Sequence, residues 1–246
     1  DAVQRLQTVA DLRVVQVREW LSQGRDVTRL LGELQELRRM HPPPWYPTRQ
    51  AVTLATLQRM VDNFVHLRTV SLLHPWTGEV VLSTDPTLVA RIWRHKPCFL
   101  QGQHDLFVGP VDYSLSREMP ELCIGAPLGE VIAGLPGVVL VELDLQRLAD
   151  TLRQQTVLGQ GGRAYLVDSY GFYVTVPPDT EGTPLRRIAR NAAVSGALAG
   201  RGGHAVYQRE DGEGVLGVYR WLADSRLGLV VEIPQAQYLA RIARVK

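Results

Sequence analysis

Gly137-Val138-Val139-Leu140-Val141-Glu142-Leu143-Asp144 reads as a buried strand running into a helix. It is a short, unalternating apolar run, closed by an acid and an aspartate suited to cap a helix. The chain then repeats it. Leu227-Gly228-Leu229-Val230-Val231-Glu232-Ile233-Pro234 carries the same apolar run and the same acid, and Glu142 and Glu232 stand 90 positions apart. A second landmark gives nearly the same offset. Strand patterns at Thr69–Leu73 and Glu79–Ser83 flank the turn residues His74-Pro75-Trp76-Thr77-Gly78, and patterns at Arg163–Asp168 and Phe172–Val176 flank Ser169-Tyr170-Gly171. Gly78 and Gly171 stand 93 positions apart. Two independent landmarks therefore define one module of roughly 90 residues, hairpin first and strand-into-helix last, present twice.

Working outward, the N-terminal segment predicts a long helix. Val3, Leu6, Ala10, Val14, Val17 and Leu21 recur at steps of three and four, which places them on one stripe. Gly24 is a candidate interruption, after which Leu30, Leu31, Leu34 and Leu37 continue the period. The run His41-Pro42-Pro43-Pro44-Trp45-Tyr46-Pro47 breaks it, since proline fixes φ and lacks the amide donor. A second helix follows, with Thr48 as its cap and Ala51, Leu54, Leu57, Val61 and Phe64 as its apolar face. Inside the first module a short helix is expected over Thr87–Arg94, strands over Leu106–Val111, Leu122–Ala126 and Val138–Leu143, and a helix over Leu145–Leu152 capped by Asp144. The second module adds a helix over Pro184–Leu198, strands over His204–Arg209, Val215–Leu222 and Leu229–Ile233, and a last helix from Pro234. The fold class that follows is α+β: a long N-terminal helix and two tandem modules, each an antiparallel sheet of about five strands with flanking helices.

Composition restricts function. The chain has 246 residues, 45% hydrophobic and 21% charged, with a formal net charge of +2. That is enough chain to bury a core, and too little net charge to point to nucleic acid, whose recognition needs a clustered basic face. The basic residues are interleaved with acids and read as solvated helix faces. The two cysteines, Cys98 and Cys123, lack metal-ligand spacing; a disulfide in an oxidising compartment and a pair of buried thiols both remain open. No stretch reaches the length of a membrane-spanning helix. The chain starts at Asp1, and both ends look helical, so the expectation is a piece of a longer protein.

A catalytic constellation is not found. Gly159-Gln160-Gly161-Gly162 precedes a strand and lacks the Lys-Ser/Thr of a phosphate-binding loop. Ser83 and Ser114 lack the Gly-x-Ser-x-Gly context of a nucleophile elbow. His95 and His104 sit near Asp105, without strand-held metal-ligand spacing, so no metal and no cofactor are expected. In the second module Tyr165, Tyr170, Tyr173, Tyr207, Tyr219 and Trp221 read as sheet packing.

In order and duplication these pieces resemble the double Cache family, the tandem PAS-like sensor regions of bacterial transmembrane receptors. Three pieces carry the resemblance: the hairpin Leu72 to Thr84, the strand Leu122-Cys123-Ile124-Gly125-Ala126-Pro127-Leu128, and the strand from Gly137 into Leu145. Ala164 to Gly171 and Val218 to Leu222 supply the second copy. The likeness spans essentially the whole chain. It implies a long N-terminal helix and helical connection over 1–66, a membrane-distal module over 67–147, a membrane-proximal module over 148–234, and an exit helix over 235–246. It also implies an extracytoplasmic domain at the cell membrane, joined to it through flanking helices, dimeric through the N-terminal helix, and not itself an enzyme. The ligand of such sensors sits in the distal module, under a segment that corresponds here to about Thr87–Tyr113. Amino-acid-binding members carry an Arg-x-Trp-Tyr run there; this chain has Arg91-Ile92-Trp93-Arg94, with Arg94 at the tyrosine position. Glu142 stands where a ligand amine would be held. The candidate ligand-binding set is therefore Arg91, Trp93, Arg94, His95, Asp105, Phe107, Tyr113 and Glu142, for a small carboxylate or an amino acid.

The expected role is small-molecule sensing in a signal-transduction receptor, foremost a sensor histidine kinase. A chemoreceptor, a diguanylate-cyclase receptor and a stand-alone binding protein are the alternatives.

Overall fold

The computed structural model describes residues 2–34, 37, 47–114, 117–132, 135–153, 158–177 and 184–243. The proline-rich break at 41–46 and the 178–183 stretch before the expected Pro184–Leu198 helix lie outside these residues.

The first helix, α1, is continuous over Ala2–Glu33. Gly24 does not interrupt it; a side chain there would drive into Leu143 and Ile124, so the glycine serves close packing. The buried stripe is Leu6, Ala10, Arg13, Val17, Trp20, Leu21, Val27 and Leu31. Arg13, not the expected Val14, belongs to it. An arginine lays its methylene stem along apolar surface while its head finds polar partners, here the Thr151 carbonyl at 3.0 Å and Gln16 Oε1 at 2.8 Å. The second helix, α2, spans Pro47–Asn63 and opens on proline, which is tolerated where the amide has no intrahelical acceptor. The helix thus begins before Thr48, the expected cap.

Two compact units follow. One comprises residues 20–110 and 121–144, the other 1–19, 111–120 and 145–246.

The first unit is built on an antiparallel sheet. Its strands are β1 (Leu67–Leu73), β2 (Val80–Ser83), β3 (Phe107–Val108), β5 (Met119–Ile132) and β6 (Leu135–Leu143), in the order β2-β1-β6-β5-β3; the short β4 is Asp112–Ser114. The run that opens the sequence argument, β6, is central: Val141 pairs with Val70 on one side and Ile124 on the other. That position accounts for its unalternating hydrophobicity. The expected helix over Thr87–Arg94 is only a 3-10 turn, Pro86–Leu88, capped by Asp85. Beyond it Ile92 bridges to Glu79 in extended form. A helix not expected, α3, spans Pro97–Gly102.

In the second unit α4 (Leu145–Arg153) buries Leu145, Leu148, Ala149 and Leu152. The sheet is β7 (Arg163–Val167), β10 (Leu227–Pro234), β9 (Gly214–Leu222) and β8 (Gly203–Gln208), in that order, all antiparallel. In both units the first and last strands are neighbours, so the sequence repeat is also a repeat of topology. The copies differ at their second strand. Phe172–Val176 is not a strand but two isolated bridges, Val167 to Tyr173 and Phe172 to Ile188. The expected helix over Pro184–Leu198 is reduced among the described residues to α5 (Ala192–Leu198), capped by Asn191, whose side chain accepts from the Val194 amide at 2.9 Å. The last helix, α6, spans Gln235–Ala243.

Candidate functional site

Gly78 organises the expected ligand segment. It has φ +65°, and a side chain there would meet the Arg94 backbone at 2.5 Å. Its carbonyl accepts from the Trp93 amide at 2.8 Å. These bonds turn Trp93 inward, where it packs with Leu73, Val80, Leu88, Phe99, Val138, Leu140 and the Cys98–Cys123 disulfide. The disulfide settles the pairing that the sequence left open. The Gln103 amide reaches back to the Pro75 carbonyl at 2.6 Å, tying the end of α3 to the same hairpin.

Glu142 lies on β6, 1% exposed. A carboxylate so deeply placed must be compensated. Thr69 Oγ1 donates to it at 2.6 Å, and Lys96 Nζ lies 3.8 Å away. The same ammonium contacts Glu121 at 3.2 Å and sits 4.1 Å above the Trp93 ring. Lys96, absent from the expected set, thus joins Trp93 to Glu142. Its signal was an isolated lysine directly before the Pro97 that opens α3.

The structure brings only these two of the eight expected residues together. Arg91, Arg94, His95 and Asp105 are exposed, and Arg91 Nε donates to the Thr87 carbonyl at 3.1 Å. Phe107 is half-buried on β3. Tyr113, half-buried on β4, falls in the second unit, where the Arg186 guanidinium lies 4.9 Å from its ring centre.

The second unit holds a cavity of about 310 Å³ that sequence reasoning missed. Tyr165 on β7, Tyr173, and Glu232 on β10 line it, together with Arg163, Arg187, Arg190, Asn191, Arg209, Glu210 and Asp211. Tyr165 and Tyr173 do pack in the core, as the strand spacing suggested, with ring centres 5.1 Å apart. The same two rings line the cavity.

The polar groups are paired around two centres, Glu232 and Tyr165. Tyr207 Oη donates to Glu232 Oε2 at 2.5 Å, and Arg209 Nε lies 2.9 Å from Glu232 Oε1. Asn191 Nδ2 donates to Tyr165 Oη at 2.9 Å. Burial, more than any neighbouring charge, pushes the hydroxyls of Tyr165 and Tyr207 well above the ordinary tyrosine range and that of Tyr173 up to about 12. Burial likewise raises Glu232, against the opposing pull of the Tyr207 hydrogen bond and the Arg209 charge. Asp211 is lowered, first by the Glu213 amide. These are uncharged tyrosines at neutral pH, suited to orienting a ligand.

No family model matches the chain, and no curated protein matches it in sequence. Solved structures do match in fold. The sensor domain of the V. cholerae histidine kinase DctB aligns over 95% of this chain and 97% of its own, with TM-score 0.73 and 12% identity. The domain of a putative sensory box/GGDEF family protein from Vibrio parahaemolyticus aligns over 96% and 99%, with TM-score 0.70 and 16% identity. The ligand-binding domain of Mlp24 with asparagine aligns over 97% and 94%, with TM-score 0.67 and 13% identity. The chain has the tandem PAS-like architecture of double Cache sensor domains, end to end.

Proposed function

We propose that this double Cache fold is the extracytoplasmic ligand-sensing region of a membrane-bound bacterial signal-transduction receptor, foremost a sensor histidine kinase. The observation that carries the reading is the end-to-end match to sensor domains: nearly all of this chain and nearly all of each neighbour superpose in fold. The Cys98–Cys123 disulfide supports the compartment, since disulfides persist where thiols are not kept reduced. Among the described residues no helix is long and apolar enough to cross a membrane; the membrane link in this reading lies in segments flanking the chain.

In the first unit the proposed ligand contacts remain Arg91, Trp93, Arg94, His95, Asp105, Phe107 and Glu142; Tyr113 falls in the second unit and leaves the set. Lys96 already brings a cation to Glu142, the role an amino group would otherwise fill. This favours a small carboxylate over an amino acid, with Arg91, Arg94 and His95 as its cationic contacts. Signalling in this reading is a shift of α1 between two states that the ligand binds unequally, because only differential affinity moves such an equilibrium.

The test is a hybrid receptor carrying this chain between the membrane helices of a histidine kinase. Titration with the twenty amino acids and a panel of small mono- and dicarboxylates should change kinase output for at least one compound. An output indifferent to the whole panel, from a receptor shown to be folded and inserted, sinks the sensing role.

A further inference from the structure

We infer that the cavity of the second unit is a binding site of its own, for a small organic acid with one carboxylate and a short apolar body. The site is assigned independently of the contacts proposed for the first unit.

Size comes first. A volume of about 310 Å³ equals about ten waters at roughly 30 Å³ each, the scale of a small metabolite.

Charge comes second. Arg209 is held by ion pairs to Glu232 and Glu213 and by the Gly161 carbonyl. Arg163 is held by Asp211 at 3.1 Å. Arg190 is exposed and makes no ion pair with a described residue. Arg187 pairs with Glu210, with about a third and nearly half of their side chains exposed. Such solvent-washed pairs contribute little, so an entering carboxylate takes Arg187 from Glu210 at small cost.

Position comes third. Tyr173 N donates to the Arg187 carbonyl at 3.0 Å, and Ala189 N donates to the Gly171 carbonyl at 2.8 Å. These bonds pin the backbone segment carrying both arginines against the hairpin, beside the cavity that both line. Asn191, next in sequence, is fixed by its two bonds, to Val194 N and to Tyr165 Oη.

The walls supply the remaining selectivity. Tyr165 and Tyr173 line the cavity beside a carbon skeleton, and the Tyr207 hydroxyl already donates to Glu232. An acid therefore enters with its carboxylate toward Arg187 and Arg190 and its apolar part against the tyrosines.

The test uses the whole chain at constant ionic strength. Melting temperature is followed with propionate, butyrate and succinate, and with butyramide as the uncharged twin of butyrate. Binding to the native state raises the melting point; the expected result is a rise of at least about 2 °C with propionate or butyrate, less with succinate, and none with butyramide. Arg190→Gln, at an exposed residue with no ion pair among the described residues, should fold normally and weaken binding at least about tenfold; Arg187→Gln should do the same. Arg91→Gln/Arg94→Gln should leave the effect intact. A shift abolished by Arg91→Gln/Arg94→Gln and unchanged in Arg190→Gln overturns this inference while sparing the sensing role. Absence of a shift with any of the three acids, or an equal shift with butyramide, also overturns it.

Discussion

Glu142 and Glu232 occupy equivalent places in the repeat, and both are almost wholly buried, at 1% and 2% exposed. Each solves the same problem with one hydroxyl and one cation: Thr69 and Lys96 for the first, Tyr207 and Arg209 for the second. Their surroundings differ in consequence. Glu142 faces Lys96, which also sits over the Trp93 ring, whereas Glu232 stands at the wall of a cavity. Glu232 also leads to a pH prediction. Its carboxyl is raised in the folded protein above its ordinary value of 4.5. The folded state therefore binds this proton more tightly than the unfolded chain, and the group's contribution to stability is lost as pH rises through the raised value. Glu232→Gln lacks that loss. Urea midpoints compared at pH 4.5 and pH 7 should show the wild type's advantage over Glu232→Gln shrinking toward neutrality. An advantage that is constant or grows with pH contradicts the assignment.

At the scale of elements, the cap of the first module departs most from its sequence pattern. Thr87–Arg94 has enough helix-compatible residues to read as a helix, yet Trp93 N is taken by Gly78 and Val80 N by Arg91. Tertiary hydrogen bonds to the hairpin outcompete a local turn whose nucleus is costly. The disulfide fastens α3 to β5 across a separation of 25 residues. Closing a loop of that length restricts the unfolded chain by about 3.5 kcal/mol in the chain-entropy account. Cys98→Ser/Cys123→Ser should therefore lower unfolding free energy by roughly that amount, measured in urea, and reductant should lower the wild type to match. A double variant as stable as the parent would mean that the bond constrains nothing.

For the whole molecule, α1 is the element that the sensing reading asks to move. Its inner stripe is buried, but Leu12 and Val15, three positions apart on the other side, are 52% and 56% exposed. In the dimer that the proposed reading calls for, this pair is the expected contact with its symmetry mate. Leu12→Cys in the membrane-inserted receptor should cross-link between subunits under mild oxidation, whereas Arg18→Cys, exposed but about a third of a turn round the helix, should do so far less. Equal cross-linking at both positions would remove α1 from the dimer face.

The sequence by itself determined the architecture. The duplicated strand-into-helix runs at Val138–Leu143 and Leu229–Ile233, and the two turn glycines, are local signals set by burial and by φ, with φ +65° at Gly78 and +86° at Gly171. Periodicity therefore reached the long helix, the central strands and the repeat. Tertiary structure alone decided the cap and the cavity. Arg187, Arg190, Arg209 and Glu232 are spread over 46 positions of chain, and nothing in their spacing shows that edge bridges and a central strand gather them around Tyr165. Long-range pairing also decided that Arg13 lies inside, that Trp93 packs in the core, and that Lys96 answers Glu142. Such pairings depend on which buried charges find partners, and sequence distance carries no record of that.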